Sequence, residues 1–190
     1  MPKMGIDLCH SYSWECRCCL WCADGCSRSF AAVSFSTNRF PLSAGAFGLV
    51  IANNASISGA EGGCQAEVGS ASAMAAAALV CAKGGSGHQA AQAVAITLKN
   101  MMGLICDPVA GLVEVPCVKR NALGSSQAFI SADMALAGIE SVIPPDEVVH
   151  AMYQVGWQMP SIFKETAEGG LATTPTAQRL QAQILDAAEH

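Results

Sequence analysis

The apolar positions of this 190-residue chain fall into helical spacings, and they do so only in its second part. Residues 66–82 are alanine-rich, a composition with high intrinsic helix propensity, and Gly84-Gly85-Ser86-Gly87 breaks the run. From His88 onward Val94, Leu98, Met101/Met102 and Ile105 recur at intervals of about three to four residues, the stripe of a helix packed on one side. Cys106-Asp107-Pro108 ends that helix, because a residue preceding proline resists the α conformation. A loop or short extended piece leads to Cys117, and a third helix is predicted over residues 125–137, stopping at Gly138. A fourth opens at Pro144-Pro145 with Asp146 and Glu147 in its first turn, where a proline and acidic side chains suit the positive helix end. Val148, Val149, Met152 and Tyr153 form its apolar face. A short helix over 162–167 ends before Gly169-Gly170. Neither a strand of convincing length nor an internal repeat is visible, so the expected class is mainly α, a single helical domain.

The first 43 residues have a different character. They carry a net charge of +1 against −6 for the remainder, hold six of the ten cysteines and two of the three tryptophans, and lack a sustained period. The chain therefore divides into an atypical cysteine-rich segment, 1–43, and a helical domain, 44–190.

Composition narrows the function classes. Hydrophobic residues make up 52% and charged residues 13%, which opposes disorder and suits a domain that buries extra surface. No Lys/Arg run forms a basic stripe, so nucleic acid is not an expected partner. The longest purely apolar stretch, residues 73–82, is about half of the ~20 residues a membrane span needs, so no membrane is expected. The start lacks an apolar signal region, and the expected compartment is the cytoplasm. In that reducing setting, unevenly grouped cysteines point to ligands or inert core residues rather than to a disulfide scaffold.

Chemistry concentrates in Gly62-Gly63-Cys64-Gln65-Ala66-Glu67-Val68-Gly69 and in Cys106-Asp107-Pro108-Val109-Ala110-Gly111…Val115-Pro116-Cys117. Each of these cysteines stands beside glycine or proline, in turns that can aim a thiolate at a common centre. Spacings of 42 and 11 residues make a dispersed set of three, unlike the compact cysteine run of an electron-carrying ferredoxin. A cubane cluster held by three cysteines keeps one iron open, and an open metal site is a Lewis acid suited to removing a hydroxyl. Buried structural cysteines are the other reading that spacing allows.

Those two segments, together with Ala44-Gly45-Ala46-Phe47-Gly48, Ile51-Ala52-Asn53-Asn54-Ala55-Ser56-Ile57-Ser58-Gly59-Ala60, Lys119-Arg120-Asn121-Ala122, Ala132-Asp133-Met134-Ala135-Leu136-Ala137-Gly138 and Glu168-Gly169-Gly170-Leu171-Ala172, resemble the α subunit of the iron–sulfur-dependent L-serine dehydratases. The resemblance runs from about residue 44 to 177. It implies cysteine-bearing loops around a [4Fe-4S] cluster held by Cys64, Cys106 and Cys117, with no pyridoxal phosphate. It implies a lyase that converts L-serine to pyruvate and ammonia: the β-hydroxyl leaves from the open iron, a base takes the α proton, and the enamine hydrolyses. It implies a β subunit or domain as partner, so that the chain alone is expected to be inactive or nearly so, and the general base is not identified here.

The remaining candidates are weaker. Asn53, Asn54, Ser56 and Ser58 form a polar segment that could hold substrate or satisfy its own backbone. Lys119 and Arg120 could hold the serine carboxylate, the arginine bidentately, or form a solvated pair. Glu67 lies one turn from Cys64 and could orient a neighbour or sit on the surface. Cys81 is expected in the core, and His88 and His150 are expected to be structural or exposed. Residues 1–43 depart from the family, where a longer helical region is expected. Cys19-x2-Cys22-x3-Cys26 superficially resembles a zinc knuckle, and a wrong reading frame or start, or a deletion, is the preferred explanation. A non-catalytic truncated remnant, a cluster hydro-lyase acting on another hydroxy acid and a zinc-binding interaction module are the parallel readings.

Overall fold

The structure, a computed structural model, describes residues 39–188. The cysteine pattern within residues 9–26, including Cys19-x2-Cys22-x3-Cys26, lies outside the described residues. Among the described residues seven α-helices follow in order: α1 (Arg39–Asn54), α2 (Gly59–Gly62), α3 (Ser70–Ala82), α4 (Gly87–Met101), α5 (Cys117–Leu136), α6 (Pro145–Gln158) and α7 (Pro175–Ala188). A π-helical turn, Gln65–Gly69, leads into α3, and short 3-10 turns occupy Val109–Gly111, Ser161–Phe163 and Gly170–Thr173. Among the described residues there is no strand, only an isolated parallel bridge between Cys106 and Lys164. The mainly helical, single-domain expectation is met for this part of the chain.

α3 is the axis of the domain, packed on α1, α4 and α5. It is apolar all round, the pattern of a helix surrounded by others. Ala73, Ala76, Ala77 and Val80 meet Ala90, Ala93, Val94 and Leu98 of α4 and Ala128, Ala132 and Ala135 of α5. Such small side chains let the helices approach closely, while Ile51, Leu98, Val148 and Met152 fill the spaces between them. Each large side chain so buried contributes roughly 1.5–3 kcal/mol. The segment Gln65–Ala82 is long and apolar enough to cross a membrane by composition, and 67% of it is buried inside this core.

The observed boundaries differ from the expected ones for identifiable reasons. α4 starts where expected: Ser86 Oγ accepts from the Gln89 N–H and Gln89 Oε1 accepts from the Ser86 N–H, a reciprocal cap. It stops at Met101, short of Ile105, because Gly103 takes a φ of +84° and gives its N–H to Gln65 Oε1. α5 begins at Cys117, well before Ser125; the Ser125 and Ser126 hydroxyls donate back to the carbonyls of Asn121 and Ala122, so this polar pair sits inside a helix rather than opening one. α6 begins with Pro145 in its first turn and buries Val148, Val149 and Met152, whereas Tyr153 is exposed. The helix expected over 162–167 is replaced by one 3-10 turn followed by Glu165 and Ala167 at φ +67° and +57°. There the backbone turns aside to serve a neighbour: the Cys106 N–H donates to the Phe163 carbonyl, and the Glu165 N–H donates to the Cys106 carbonyl. Finally, α1 runs without interruption through residues 43 and 44.

Candidate functional site

The site lies where the alanine core gives way to irregular backbone. Gly62-Gly63 leads into it, and Gly63 is required there: its φ is +75°, and a Cβ would meet Met159 Sδ at 2.7 Å and the Leu104 carbonyl at 2.9 Å. Cys64 follows and opens the π-helical turn. Gln65, fully buried, fastens that turn. Its N–H donates to the Leu104 carbonyl (2.9 Å), its Nε2 to the Met152 carbonyl (3.1 Å), and its Oε1 accepts from the Gly103 N–H (2.8 Å). One side chain thus joins the Cys64 turn to the loop after α4 and to α6. Cys106 is held from both sides by the 163–165 backbone, and Cys117 is the first residue of α5, after a cis Val115–Pro116 peptide.

Cys64, Cys106 and Cys117 are all buried and free. The Sγ atoms of Cys64 and Cys106 and a Glu67 carboxylate oxygen lie within 4.8 Å of one another. Glu67, three residues after Cys64, is exposed yet turned toward these sulfurs. Glycine at 59 leaves the room: a Cβ there would stand 2.8 Å from Glu67 Oε2 and 3.5 Å from both Cys106 Sγ and Glu165 Oε2. Cys117 lies outside that tightest group but within electrostatic reach of Cys64 and Glu67.

Burial, the adjacent Cys64 and the Glu165 and Glu67 carboxylates push the Cys106 thiol far above its ordinary range. Burial and Cys64 also push Cys117 up, against the Arg120 guanidinium, which pulls it down. Burial works against the charge on Arg120, yet its hydrogen bond to Asp107, the Asp107 charge and Cys64 outweigh that and raise it. Without a metal the Cys106 and Cys117 thiols hold their protons. A soft cation would displace them, and three thiols with no imidazole among them make a donor set suited to iron–sulfur or zinc chemistry.

Asp107 and Arg120 form the polar backbone of the site. Asp107, 1% exposed, accepts from Arg120 Nη1 at 2.6 Å and, through its other oxygen, from the Leu171 N–H at 2.7 Å. Arg120, 15% exposed, also donates from Nη1 to the Ile105 carbonyl at 2.8 Å and approaches Cys64 Sγ at 3.8 Å. No local sequence pattern distinguishes Gln65 or Glu165. Asp107 had a signal in its place directly after Cys106, before a proline.

The other candidates are more dispersed. Asn54 caps its own helix, Nδ2 donating to the Val50 carbonyl at 2.7 Å. Ser56 Oγ donates to Glu61 at 2.5 Å and accepts from the Ser58 N–H at 3.1 Å, while the Ser58 side chain makes no cap. Lys119 is exposed, unlike Arg120 beside it. Cys81 is half-buried against the main core. His88 faces Glu140 at the surface and His150 lies beside Gln154, both exposed and remote from the thiols in their contacts. Ser56 and Glu61 line a cavity of about 330 Å³ with Gly62, Tyr153, Trp157 and Lys164. Lys164 is the residue bridged to Cys106, and its ammonium has no hydrogen-bond or ion-pair partner among the described residues.

Fold and site together define an all-helical domain in which buried thiols from three separated segments converge, with the Arg120 guanidinium near those of Cys64 and Cys117. The chain belongs to the Serine dehydratase alpha chain family, whose match covers residues 26–172. It is 67% identical over 150 residues to the probable L-serine dehydratase, alpha chain of Bacillus subtilis, covering 79% of this chain and 50% of that one. It is 61% identical over 146 residues to the probable L-serine dehydratase, alpha chain of Latilactobacillus sakei, covering 77% of this chain and 70% of the relative. Against L-serine dehydratase 1 of Escherichia coli it is 47% identical over 135 residues, covering 70% of this chain and 30% of that protein. The chain thus spans about half the length of the Bacillus subtilis relative.

Proposed function

We propose that this chain is an α part of an L-serine ammonia-lyase, deaminating L-serine to pyruvate and ammonia, with Cys64, Cys106 and Cys117 as the protein ligands of a [4Fe-4S] cluster. The observation that carries the reading is the convergence of these three buried thiols, from segments 42 and 11 residues apart, within a family whose named relatives are L-serine dehydratases. The donor set fits such a group: three soft thiols, no fourth cysteine beside them among the described residues, and a cation to balance their charge. When bound, the cluster would supply a Lewis-acidic iron without a cysteine ligand, suited to a departing hydroxyl.

The chain's own residues would do the rest. Gln65 holds the Cys64 turn, and the 163–165 backbone holds Cys106. The cavity lined by Ser56, Glu61 and Lys164 is large enough for an amino acid, and the Lys164 ammonium, unpaired among the described residues, is suited to its carboxylate. Glu67 and Glu165 place negative charge beside the thiols, where the amino acid's ammonium group would be favoured. The base that takes the α proton belongs to the complete enzyme, assembled with a β part, in a reducing cytoplasmic setting.

The test is anaerobic reconstitution with iron and sulfide, comparing the chain with its Cys64/Cys106/Cys117→Ser variant by visible absorption and electron spin resonance, then measuring serine turnover with and without a β partner. A cluster signal that vanishes in the variant and responds to serine, with turnover only in the pair, is the expected result. Zinc in place of iron, or turnover of another hydroxy acid in preference to serine, would replace this reading.

A further inference from the structure

We propose that Arg120 is a positioning residue for the thiol site: its guanidinium, held by Asp107, directs an N–H at Cys64 Sγ and tunes the donor strength of that one thiolate. The inference rests on the thiol-ligand reading above and deepens it. Arg120 stands one helical turn after Cys117, so both side chains leave the same face of α5. Its Nη1 carries two hydrogens and faces three acceptors: Asp107 Oδ1 at 2.6 Å, the Ile105 carbonyl at 2.8 Å and Cys64 Sγ at 3.8 Å. The sulfur is the long arm of a shared donor, and Asp107 and Ile105 determine where that donor points.

Asp107 is itself immobilised. Its Oδ2 accepts from the Leu171 N–H at 2.7 Å. Gly170 presses against it with φ +60°, where a Cβ would collide with the Asp107 carboxylate oxygen and stand 2.8 Å from its Cβ. The chain of contacts therefore runs from the Gly170–Thr173 turn through Asp107 and Arg120 to Cys64, joining four segments distant in sequence. A planar guanidinium can serve several acceptors at fixed angles, which an ammonium cannot. Hydrogen bonds to a ligand sulfur are among the levers that set the potential of an iron–sulfur centre. A donor on Cys64 withdraws electron density from that sulfur alone, favours the reduced state and makes the three thiolates unequal.

The experiment compares the whole chain with Arg120→Gln, Arg120→Lys and Gly170→Ala, using Arg179→Gln on α7 as an arginine elsewhere on the surface. Each protein is loaded anaerobically with iron and sulfide for the midpoint potential, and separately with cobalt(II) alone for the thiolate-to-cobalt charge-transfer band. Circular dichroism reports the fold. Expected for Arg120→Gln is a more negative potential and a red-shifted band. Arg120→Lys, which keeps the charge and loses the fork, should fall between it and the parent, and Arg179→Gln should match the parent. Coincident potentials and bands for Arg120→Gln and the parent would overturn the assignment. Should Arg120→Gln fail to fold, Arg120→Lys and Gly170→Ala decide: a shift in either upholds the proposal, and none in both overturns it. A parent chain that binds cobalt but assembles no cluster would refute the cluster reading, and the cobalt band would still decide the role of Arg120. A parent that takes up neither overturns both.

Discussion

The alanine core and the thiol site are built on opposite principles within one domain. In the core, α3, α4 and α5 meet through side chains so small that the packing depends on backbone proximity, and the buried Thr97 hydroxyl is satisfied inside its own helix by the Ala93 carbonyl. At the site, helix gives way to a π turn, 3-10 turns and positive φ angles at Gly63, Gly103, Glu165, Ala167 and Gly170, and fully buried polar side chains hold the pieces. The core is redundant, since many contacts share the load. The site is less so: Gln65, Asp107 and Arg120 each tie together segments distant in sequence through a single side chain. A substitution in the core should therefore lower stability and leave metal binding nearly intact, while one at the site should do the reverse or do both.

The largest effect is expected from Asp107→Ala. It leaves the Arg120 guanidinium buried without its partner and the Leu171 N–H without an acceptor. Removing one member of a buried pair costs roughly 3–5 kcal/mol, and denaturant unfolding should show it together with loss of cobalt or cluster binding. Unchanged metal binding in a folded Asp107→Ala protein would break the contrast between the two regions. Leu98→Ala comes next. Leu98 is 1% exposed in the main core, so a loss of about 2–5 kcal/mol is expected. At low denaturant the thiol site of this variant should still bind metal as the parent does, and a spectral change there would show that the core and the site are coupled.

Gln65→Leu sharpens the comparison because it removes hydrogen bonds at near-constant bulk. The Gly103 N–H and the Met152 carbonyl lose their partner, at roughly 1–3 kcal/mol in total. The Cys64 turn then keeps only the backbone bond from the Gln65 N–H to the Leu104 carbonyl as its hydrogen bond to the loop after α4. Hydrogen exchange should accelerate around residues 63–69 and 102–105 and stay slow in the alanine-rich parts of α3 and α4. Uniform acceleration along the whole domain would mean that Gln65 serves global stability alone.

This division also accounts for what could be read from the sequence. Residues 66–82, the start of α4 and the start of α6 carry local signals: alanine content, a capping serine with glutamine three residues on, and proline followed by two acids. α1 is not legible in the sequence, because Pro41, Gly45 and Gly48 obscure a helix that is apolar on both sides. α7 carries a weak signal too, with only Ala177 buried among its described side chains. At the site the three cysteines were legible from type, spacing and resemblance. Their supports were not, since Gln65 and Asp107 act through partners 87 and 64 residues away, and no local period encodes such a pairing. Glu67 was legible only as a neighbour of Cys64; its approach to Cys106 depends on how the π turn meets a distant loop.

Lys164→Met should have the smallest effect on stability and separates the site's framework from its contents. Its ammonium makes no ion pair or hydrogen bond among the described residues, and its stem lines the cavity beside Ser56 and Trp157. Methionine keeps the stem and removes the charge, so the unfolding free energy should change by no more than about 0.5 kcal/mol. The thiols should bind metal as before, because the backbone bridge between residues 164 and 106 does not use the side chain. If the ammonium holds the substrate carboxylate, the assembled enzyme should show KM for serine raised about tenfold or more, as expected for losing a charge-assisted hydrogen bond worth roughly 1.5–3 kcal/mol. An unchanged KM would remove Lys164 and this cavity from the substrate path. A fall in kcat at unchanged KM would instead assign the ammonium to the transition state, and so to the chemistry rather than to binding.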